Sequence, residues 1–386
     1  MSVSPVATLP ATRSSIEPVS VFLMIHCFEM GGSERQLSIV ARSLDRTRFQ
    51  ALVGCNRRTG SLAGEFPNAP EFRLGGSLYG WRSLAARVRL GRHLRRARVQ
   101  VAHSFDFYTN LTLIPAARLA RVPVVIGSHR QIGDLMTAMQ FRAQAAAFRG
   151  CDAVVCNSQA GADRLAEAGI APKKLVVIGN ALLDSAFESV PPALPIRPGL
   201  RRVCMVARMN AEYKNHGGFL RIAAEIRRRN PNVEFVLVGD GPLRTKLERD
   251  AATLGLGDAV QFLGERNDIA AVLASVDVAV LTSDSEGLSN VILEAMGARL
   301  PVVAYNVGGN SELINDSRGT LVRPGDEKEF ANAVQQLLGD DSLRQRFGIN
   351  ARRFAEENFG VALVCRRYEE LYTSLLEDKL GRDRSS

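Results

Sequence analysis

Short apolar runs alternate with longer amphipathic stretches along most of the chain. Such runs stand at Val19–Ile25, Gln50–Cys55, Val99–His103, Val122–Gly127, Ala153–Cys156 and Leu175–Ile178. They are rich in β-branched and aliphatic residues, as strands buried on both faces are. The alternation breaks at Ala186–Gly199, where Pro191, Pro192, Pro195 and Pro198 exclude a helix and stiffen the path. It resumes with Arg202–Ala207, Val233–Val238, Val260–Phe262, Val278–Leu281, Val302–Ala304 and Thr320–Val322. Helical periodicity falls between these runs, as in Gly218–Arg229 and Leu288–Met296.

This pattern predicts an α/β chain with two Rossmann-like, doubly wound parallel sheets facing each other across a cleft. The first domain is expected at residues 19–185, the linker at 186–199 and the second domain at 200–360. Residues 361–386 supply a last helix and tail. Residues 1–18, dominated by Ser, Thr, Pro and Ala, predict a frayed tail without a signal-peptide core. Ligands of open parallel sheets bind beyond the carboxyl ends of the strands, so the chemistry is sought in the loops that follow them.

The 386 residues are 46% hydrophobic and 23% charged, which excludes a disordered chain. No apolar run approaches the roughly 18 residues that span a bilayer, which argues against an integral membrane protein. The cysteines, Cys27, Cys55, Cys151, Cys156, Cys204 and Cys365, form no CxxC and no Cys/His cluster. Neither zinc nor a disulfide framework is indicated, and reduced thiols fit a cytoplasmic location.

The net charge of +9 is uneven. Residues 1–190 hold 23 basic and 13 acidic side chains, while residues 191–386 hold 26 and 27. The excess suggests nucleic acid, a membrane surface or an anionic substrate as partner, the alternative being a basic proteome that prefers Arg. Much of it lies in Trp81–Val99, which carries seven arginines and no acid. Leu84, Val88 and Leu94 predict a core stripe there, with the arginines outward. Such a face, Arg82–Arg98, suits docking on an anionic inner leaflet at about 1 kcal/mol per basic residue near the surface. The alternative is a merely solvated helix face. Nucleic acid is disfavoured, because no aromatic and basic platform accompanies the run.

The common nucleotide fingerprints are missing. No GxGxxG follows the first strand and no GxxxxGK[ST] occurs, against dinucleotide oxidoreductases and P-loop NTPases. There is no Asp-x-Asp pair, and Asp284-Ser285-Glu286 comes nearest. Instead, a strand ending at Leu281 leads into Thr282–Gly287 and then a helix from near Leu288. Unpaired amides near Ser289, Asn290 and Val291 would form an anion site, aided by the helix dipole. Glu286 and Glu294 flank it. A carboxylate beside an anion site is suited to accept bonds from ribose or sugar hydroxyls, the alternative being an ordinary capping carboxylate and a solvated helix residue.

Arg208 and Lys214 leave another strand within one loop, where two cations can clamp a diphosphate. Each charge-assisted bond is worth about 1.5–3 kcal/mol. Gly239, Asp240 and Gly241 form a glycine turn that would let backbone approach a ligand, the alternative being an ordinary strand–helix turn. Phe262-Leu263-Gly264-Glu265-Arg266 offers its backbone to a base edge.

In this order, Arg208 and Lys214, Gly239-Asp240-Gly241, Gly264 and Glu286-x7-Glu294 closely resemble the retaining glycosyltransferases of family 4, which have the GT-B fold. The resemblance spans about residues 20–375, and its most specific block is EGLSNVILEAMGARLPVVAYNVGGNSELI. Met30-Gly31-Gly32-Ser33-Glu34-Arg35 looks like the family's amino-terminal glycine loop, and Gly127-Ser128-His129 like its histidine beside the donor sugar. Asn157-Ser158 and Gly179-Asn180 match family loops, although Ile178 stands where the family's proline is usual, which leaves the role of Asn180 open. Val361–Leu376 would serve as the family's helix crossing back to the first domain.

The resemblance implies a metal-independent hexosyltransferase with no cofactor. A nucleoside diphosphate sugar, UDP or GDP foremost, is the co-substrate, and the sugar passes with retention to a hydroxyl of a lipid-linked, cell-envelope or exopolysaccharide glycan. It implies that Glu294 binds the ribose, that Glu286 and His129 contact the donor sugar, and that Arg208 and Lys214 stabilise the leaving diphosphate. Gly31, Gly32, Gly239, Asp240, Arg266 and the amides from Leu288 to Val291 complete the donor site. The implied location is the cytoplasm or the inner face of the plasma membrane. The rivals are another GT-B activity, a nucleotide-sugar epimerase or a glycoside phosphorylase, and a non-catalytic nucleotide-sugar binding protein. The presence of Glu286, Glu294, Arg208, Lys214 and His129 argues against the last.

Overall fold

The computed structural model describes residues 17–75 and 80–383, so most of the expected tail at 1–18 lies outside the described residues. The first sheet comprises β1 (Val19–Ile25), β2 (Phe49–Cys55), β3 (Val101–Ser104), β4 (Val124–His129), β5 (Ala153–Cys156) and β6 (Leu175–Val177). The second comprises β7 (Arg201–Val206), β8 (Val233–Val238), β9 (Val260–Phe262), β10 (Val278–Leu281), β11 (Val302–Tyr305) and β12 (Gly319–Val322). All neighbours run parallel, in the orders β2-β1-β3-β4-β5-β6 and β12-β11-β10-β7-β8-β9. The strand order reverses between β1 and β3 and between β7 and β10. These are the topological switch points, where open α/β sheets hold their ligands.

Alternation along β1 divides the first domain's core. Val21, Leu23 and Ile25 pack with Leu37 and Val40 of the helix Gly32–Ser43 and with Val364, Tyr368 and Tyr372 of the helix Val361–Asp383. Phe22 and Met24 face the other way, toward Leu90 and Leu94, Leu113 and Ile114, and Ala145 and Phe148. These residues belong to the helices Trp81–Arg96, Phe107–Leu119 and Ala138–Arg149, a layer of three. The last helix therefore returns from the second domain and completes the core of the first. The two crossings run side by side, with the Leu182 amide donating to the Phe359 carbonyl at 2.7 Å.

The proline segment does not hang free between the domains. Ala193 N donates to Ala271 O at 2.9 Å, Leu194 N to Ser275 Oγ at 3.0 Å, and the Arg202 guanidinium to Pro195 O at 2.7 Å. It is fastened along the second domain.

The stripe expected on the arginine-rich helix is corrected. Leu94 is buried, but Leu84 is 60% exposed and Val88 43%. Ser83, Ala86, Leu90 and Gly91 face inward instead. The neighbouring helix comes close enough that a Cβ on Gly91 would stand 3.3 Å from the Ala116 carbonyl. Close approach favours small residues at the contact and turns Leu84 and Val88 outward. Among the described residues no helix is long and apolar enough to cross a membrane.

A buried polar link ties the returning helix to the first sheet. His103 Nδ1 lies 2.8 Å from the Tyr372 hydroxyl and Nε2 2.8 Å from Ser128 Oγ. Burial pushes the His103 pKa down to about 3 from the usual 6.5, so the ring is neutral. Tyr372→Phe leaves one buried ring nitrogen without its partner and is expected to cost about 1–3 kcal/mol, read as a lowered urea midpoint. Because the unfolded ring takes its proton near 6.5 and the folded ring only near 3, this contribution is complete above pH 6.5 and is lost as pH falls toward 3.

Candidate active site

The facing carboxyl ends of the two sheets enclose a cleft of about 1140 Å³. Its second-domain wall is built at the switch point. The loop after β7 carries Arg208 and Lys214, and the loop after β10 carries Glu286. Two loops 72 residues apart meet there, with Lys214 Nζ 2.8 Å from Glu286 Oε1. Arg208 is exposed in the cleft, and its guanidinium has no ion-pair or hydrogen-bond partner among the described residues.

The helix following Glu286 is Asn290–Gly297, with Ser289 as its cap, Oγ accepting from Ile292 N at 3.4 Å. It starts two residues later than the periodicity predicts, and the Leu288 carbonyl, still outside the helix, accepts a cross-domain bond from Asn180 at 2.9 Å. Asn290 and Val291 line the cleft, and first-turn amides have no partner within a helix. The Gly31-Gly32 loop of the first domain stands opposite. A Cβ on Gly32 would come 3.2 Å from Asn290 Nδ2, so the loop and the helix terminus nearly touch.

Glu294 is buried one turn into this helix, and burial raises its pKa against the opposing pull of Arg35. Arg35 reaches from the first domain to form an ion pair with its Oε1. The residue expected to receive a ribose therefore already holds a guanidinium. Beside it, burial pushes the Glu34 carboxyl up to about 7.

The glycine turn after β8 is a steric requirement. Gly239 has φ +130° and Gly241 φ +152°, and Cβ atoms there would lie 2.2 Å from the Ala207 carbonyl and 2.4 Å from the Met209 carbonyl. Gly239 N also donates to Gly264 O at 2.8 Å, joining this turn to the Phe262–Arg266 loop. Asp240 lines the cleft. A bond from the Gly241 amide and then the Arg244 guanidinium hold its carboxyl below the usual range. Arg266 lines the same wall and pairs with Asp268 at 2.6 Å.

His129 is the expected contact that the structure does not bring to the cleft. Its ring is 1% exposed and turned into the helical layer, between Phe141 and Phe148. Gln144 Nε2 lies 2.9 Å from Nδ1, and Nε2 is buried without a partner among the described residues. Burial lowers its pKa to about 4, so the ring is neutral. Strand alternation explains the placement: Arg130 and Gln131, which follow, line the cleft instead.

Several residues at the site are not apparent from local pattern. Gln36 bonds both backbone groups of Ala181, at 2.9 and 2.6 Å, and also meets Asn290 at 3.3 Å. Asn180 accepts from Arg130 at 2.6 Å and donates to Leu288 O at 2.9 Å and to Asn290 Oδ1 at 2.8 Å. The role left open for Asn180 is thus to staple the crossing chain to both cleft walls. Ser285 Oγ reaches Asp134 of the first domain at 2.7 Å. Arg35 lies inside the Met30–Arg35 segment, where nothing in the local pattern marks it as a partner of Glu294.

Two family models match the chain. That for glycosyl transferases group 1 covers residues 187–354, and that for glycosyltransferase family 4 covers residues 30–182. A lipopolysaccharide core biosynthesis glycosyltransferase, LpsE of Rhizobium meliloti, is 30% identical over 245 residues, 63% of this chain and 69% of that relative. A UDP-Gal:alpha-D-GlcNAc-diphosphoundecaprenol alpha-1,3-galactosyltransferase of Escherichia coli is 28% identical over 315 residues, 76% of this chain and 80% of its own. An alpha-D-kanosaminyltransferase of Streptomyces kanamyceticus is 35% identical, but the match spans 45% of each chain. Among solved structures, Anabaena Alr3699/HepE in complex with UDP-glucose superposes with a TM-score of 0.79, covering 92% of this chain and 99% of that one at 23% identity, a likeness of fold. Two sheets with this strand order and family matches in both halves lead to one conclusion: the chain belongs to glycosyltransferase family 4 and has its GT-B fold.

Proposed function

We propose that the protein transfers a hexosyl group from a UDP-hexose, with retention at the anomeric carbon, to a hydroxyl of a lipid-linked envelope glycan, and needs no metal ion. The observation that carries this reading is the convergence of Arg208, Lys214, Glu286 and the helix terminus at Asn290 on one switch point, under the glycine loop of the facing domain. The names of the relatives favour the donor and the acceptor. One is a UDP-galactose enzyme acting on a diphosphoundecaprenol-linked sugar, another builds lipopolysaccharide core, and the superposed structure holds UDP-glucose. A GDP sugar is the second choice of donor.

The chemical difficulty is charge. As the bond from the anomeric carbon to the phosphate oxygen breaks, the diphosphate gains negative charge and the sugar becomes oxocarbenium-like. Arg208, Lys214 and the first-turn amides of Asn290 and Val291 would stabilise the diphosphate. Lys214 then exchanges Glu286 for phosphate, leaving Glu286 for a hydroxyl of the sugar. Glu294 exchanges Arg35 for the ribose hydroxyls. The acceptor oxygen bonds to the anomeric carbon from the face the diphosphate leaves, and the acceptor's proton passes to the departing phosphate oxygen. His129, buried in the helical layer, is assigned no contact with the sugar.

Arg208→Ala and Lys214→Ala are each expected to lower kcat/KM about tenfold for every 1.4 kcal/mol of transition-state stabilisation removed. Unchanged turnover in both variants would refute the cationic clamp. Arg35→Ala is expected to enlarge the UDP-induced rise in melting temperature, because the ribose then fills an empty place beside Glu294 instead of displacing a partner. An equal or smaller rise would remove the exchange. Transfer is expected to persist in EDTA and to give, by NMR, a product with the anomeric configuration of the donor. Loss of activity that Mg2+ restores would contradict the metal-free reading, and an inverted product would contradict retention.

A further inference from the structure

The three helices Trp81–Arg96, Phe107–Leu119 and Ala138–Arg149 form one outer layer of the first domain. Together they carry nine arginines and no aspartate or glutamate. The contrast with the returning helix on the opposite face is sharp, since Val361–Asp383 carries five carboxylates and four basic residues. Some arginines in the layer are internal ties. Arg87 bonds Leu111 O at 3.1 Å, Arg95 bonds Leu119 O at 3.2 Å, and Arg118 pairs with Asp152 at 2.8 Å. Arg89, Arg92, Arg96 and Arg142 are exposed and form no ion pair among the described residues.

The same face is unusually apolar at its tips. Trp81 is 75% exposed, Met139 76%, Leu119 70% and Leu84 60%, with Val88 beside them. A groove of about 380 Å³, lined by Leu111, Ile114, Pro115 and Ala146, opens between two of the helices. Exposed apolar groups set among unpaired arginines are ill suited to bulk water. They suit a membrane interface, where the apolar tips enter the headgroup layer and the guanidiniums meet lipid phosphates. Nucleic acid would engage the charge but not Leu84, Leu119 and Met139.

We infer that this whole helical layer, and not the arginine-rich helix alone, is a docking face for an anionic phospholipid bilayer, with Trp81, Leu84, Val88, Leu119 and Met139 as its inserted side chains. Leu135, half-exposed, both lines the catalytic cleft and leads into the helix Ala138–Arg149. A docked face therefore sets the cleft mouth at the bilayer surface. That consequence rests on the lipid-linked reading of the acceptor, whereas docking itself does not.

Trp81 is the sole tryptophan of the chain, so its fluorescence reports on this face alone. Vesicles of phosphatidylcholine with phosphatidylglycerol are expected to shift the Trp81 emission to the blue and to carry the protein in flotation. Vesicles of phosphatidylcholine alone are expected to do neither. Arg89→Gln, Arg92→Gln and Arg96→Gln should each weaken flotation about fivefold. The double variant Leu84→Ser/Met139→Ser should weaken it by about tenfold or more. All variants should keep the wild-type UDP-induced rise in melting temperature, which shows them folded. No Trp81 shift with either vesicle, an equal shift with both, or full binding by the variants would overturn the proposal. Transfer to a water-soluble glycan acceptor is measured in parallel. Transfer without vesicle binding refutes docking and leaves the function standing, and vesicle binding without transfer to any glycan does the reverse.

Discussion

Every distance across the cleft depends on how the chain crosses between the domains. It crosses twice, and the two crossings are tied by the bond from Leu182 N to Phe359 O. Beyond the second crossing, Val364, Tyr368 and Tyr372 enter the core of the first domain. The end of the chain is thus anchored in the first domain, and the paired crossings join it to the second. Asn180, immediately before the first crossing, bonds Arg130 on one wall and Leu288 and Asn290 on the other. Covalent crossing, buried helix and polar staple together hold the glycine loop against the helix terminus it faces.

Within that frame four of the charged side chains lining the cleft are paired. Lys214 with Glu286 and Arg35 with Glu294 are partners drawn from distant parts of the chain. A partly buried pair gains little net stability, because attraction mainly offsets lost hydration. The pairs are consequently well placed for exchange: a phosphate can take over Lys214, and a ribose can take over Glu294, with modest loss. Arg208 stands outside this pairing and presents an uncommitted positive charge to the cleft. The proposed clamp would therefore rest on one unpaired cation and one that changes partner.

The excess positive charge divides in two by position. The second-domain cations proposed for the chemistry, Arg208 and Lys214, sit beyond strand ends in the cleft. The surplus of the first domain is concentrated in a helical layer on its outside, which also exposes its apolar tips. Charge and apolar exposure coincide on one face because close helix packing claimed the small residues for the interior and left Leu84 and Val88 outward.

The strands were legible because each is a short, nearly uniform apolar run whose shape is set by local sterics and by burial on both faces. All twelve stand close to where the pattern places them, and the second-domain wall was legible for a related reason. Arg208, Lys214, Glu286 and Glu294 lie at fixed short offsets from strand ends, so strand position fixes their neighbourhood. What only the tertiary structure decided are the pairings over long separations. Arg35 meets Glu294 across 259 residues and Gln36 meets Ala181 across 145, contacts that exist only once the crossings dock the domains. It also decided direction. His129 sits at the predicted strand end but points into the helical layer, and Leu84 and Val88 keep helical spacing but face outward. Periodicity gives spacing along an element, whereas the neighbour that packs against it determines which of its faces is inside.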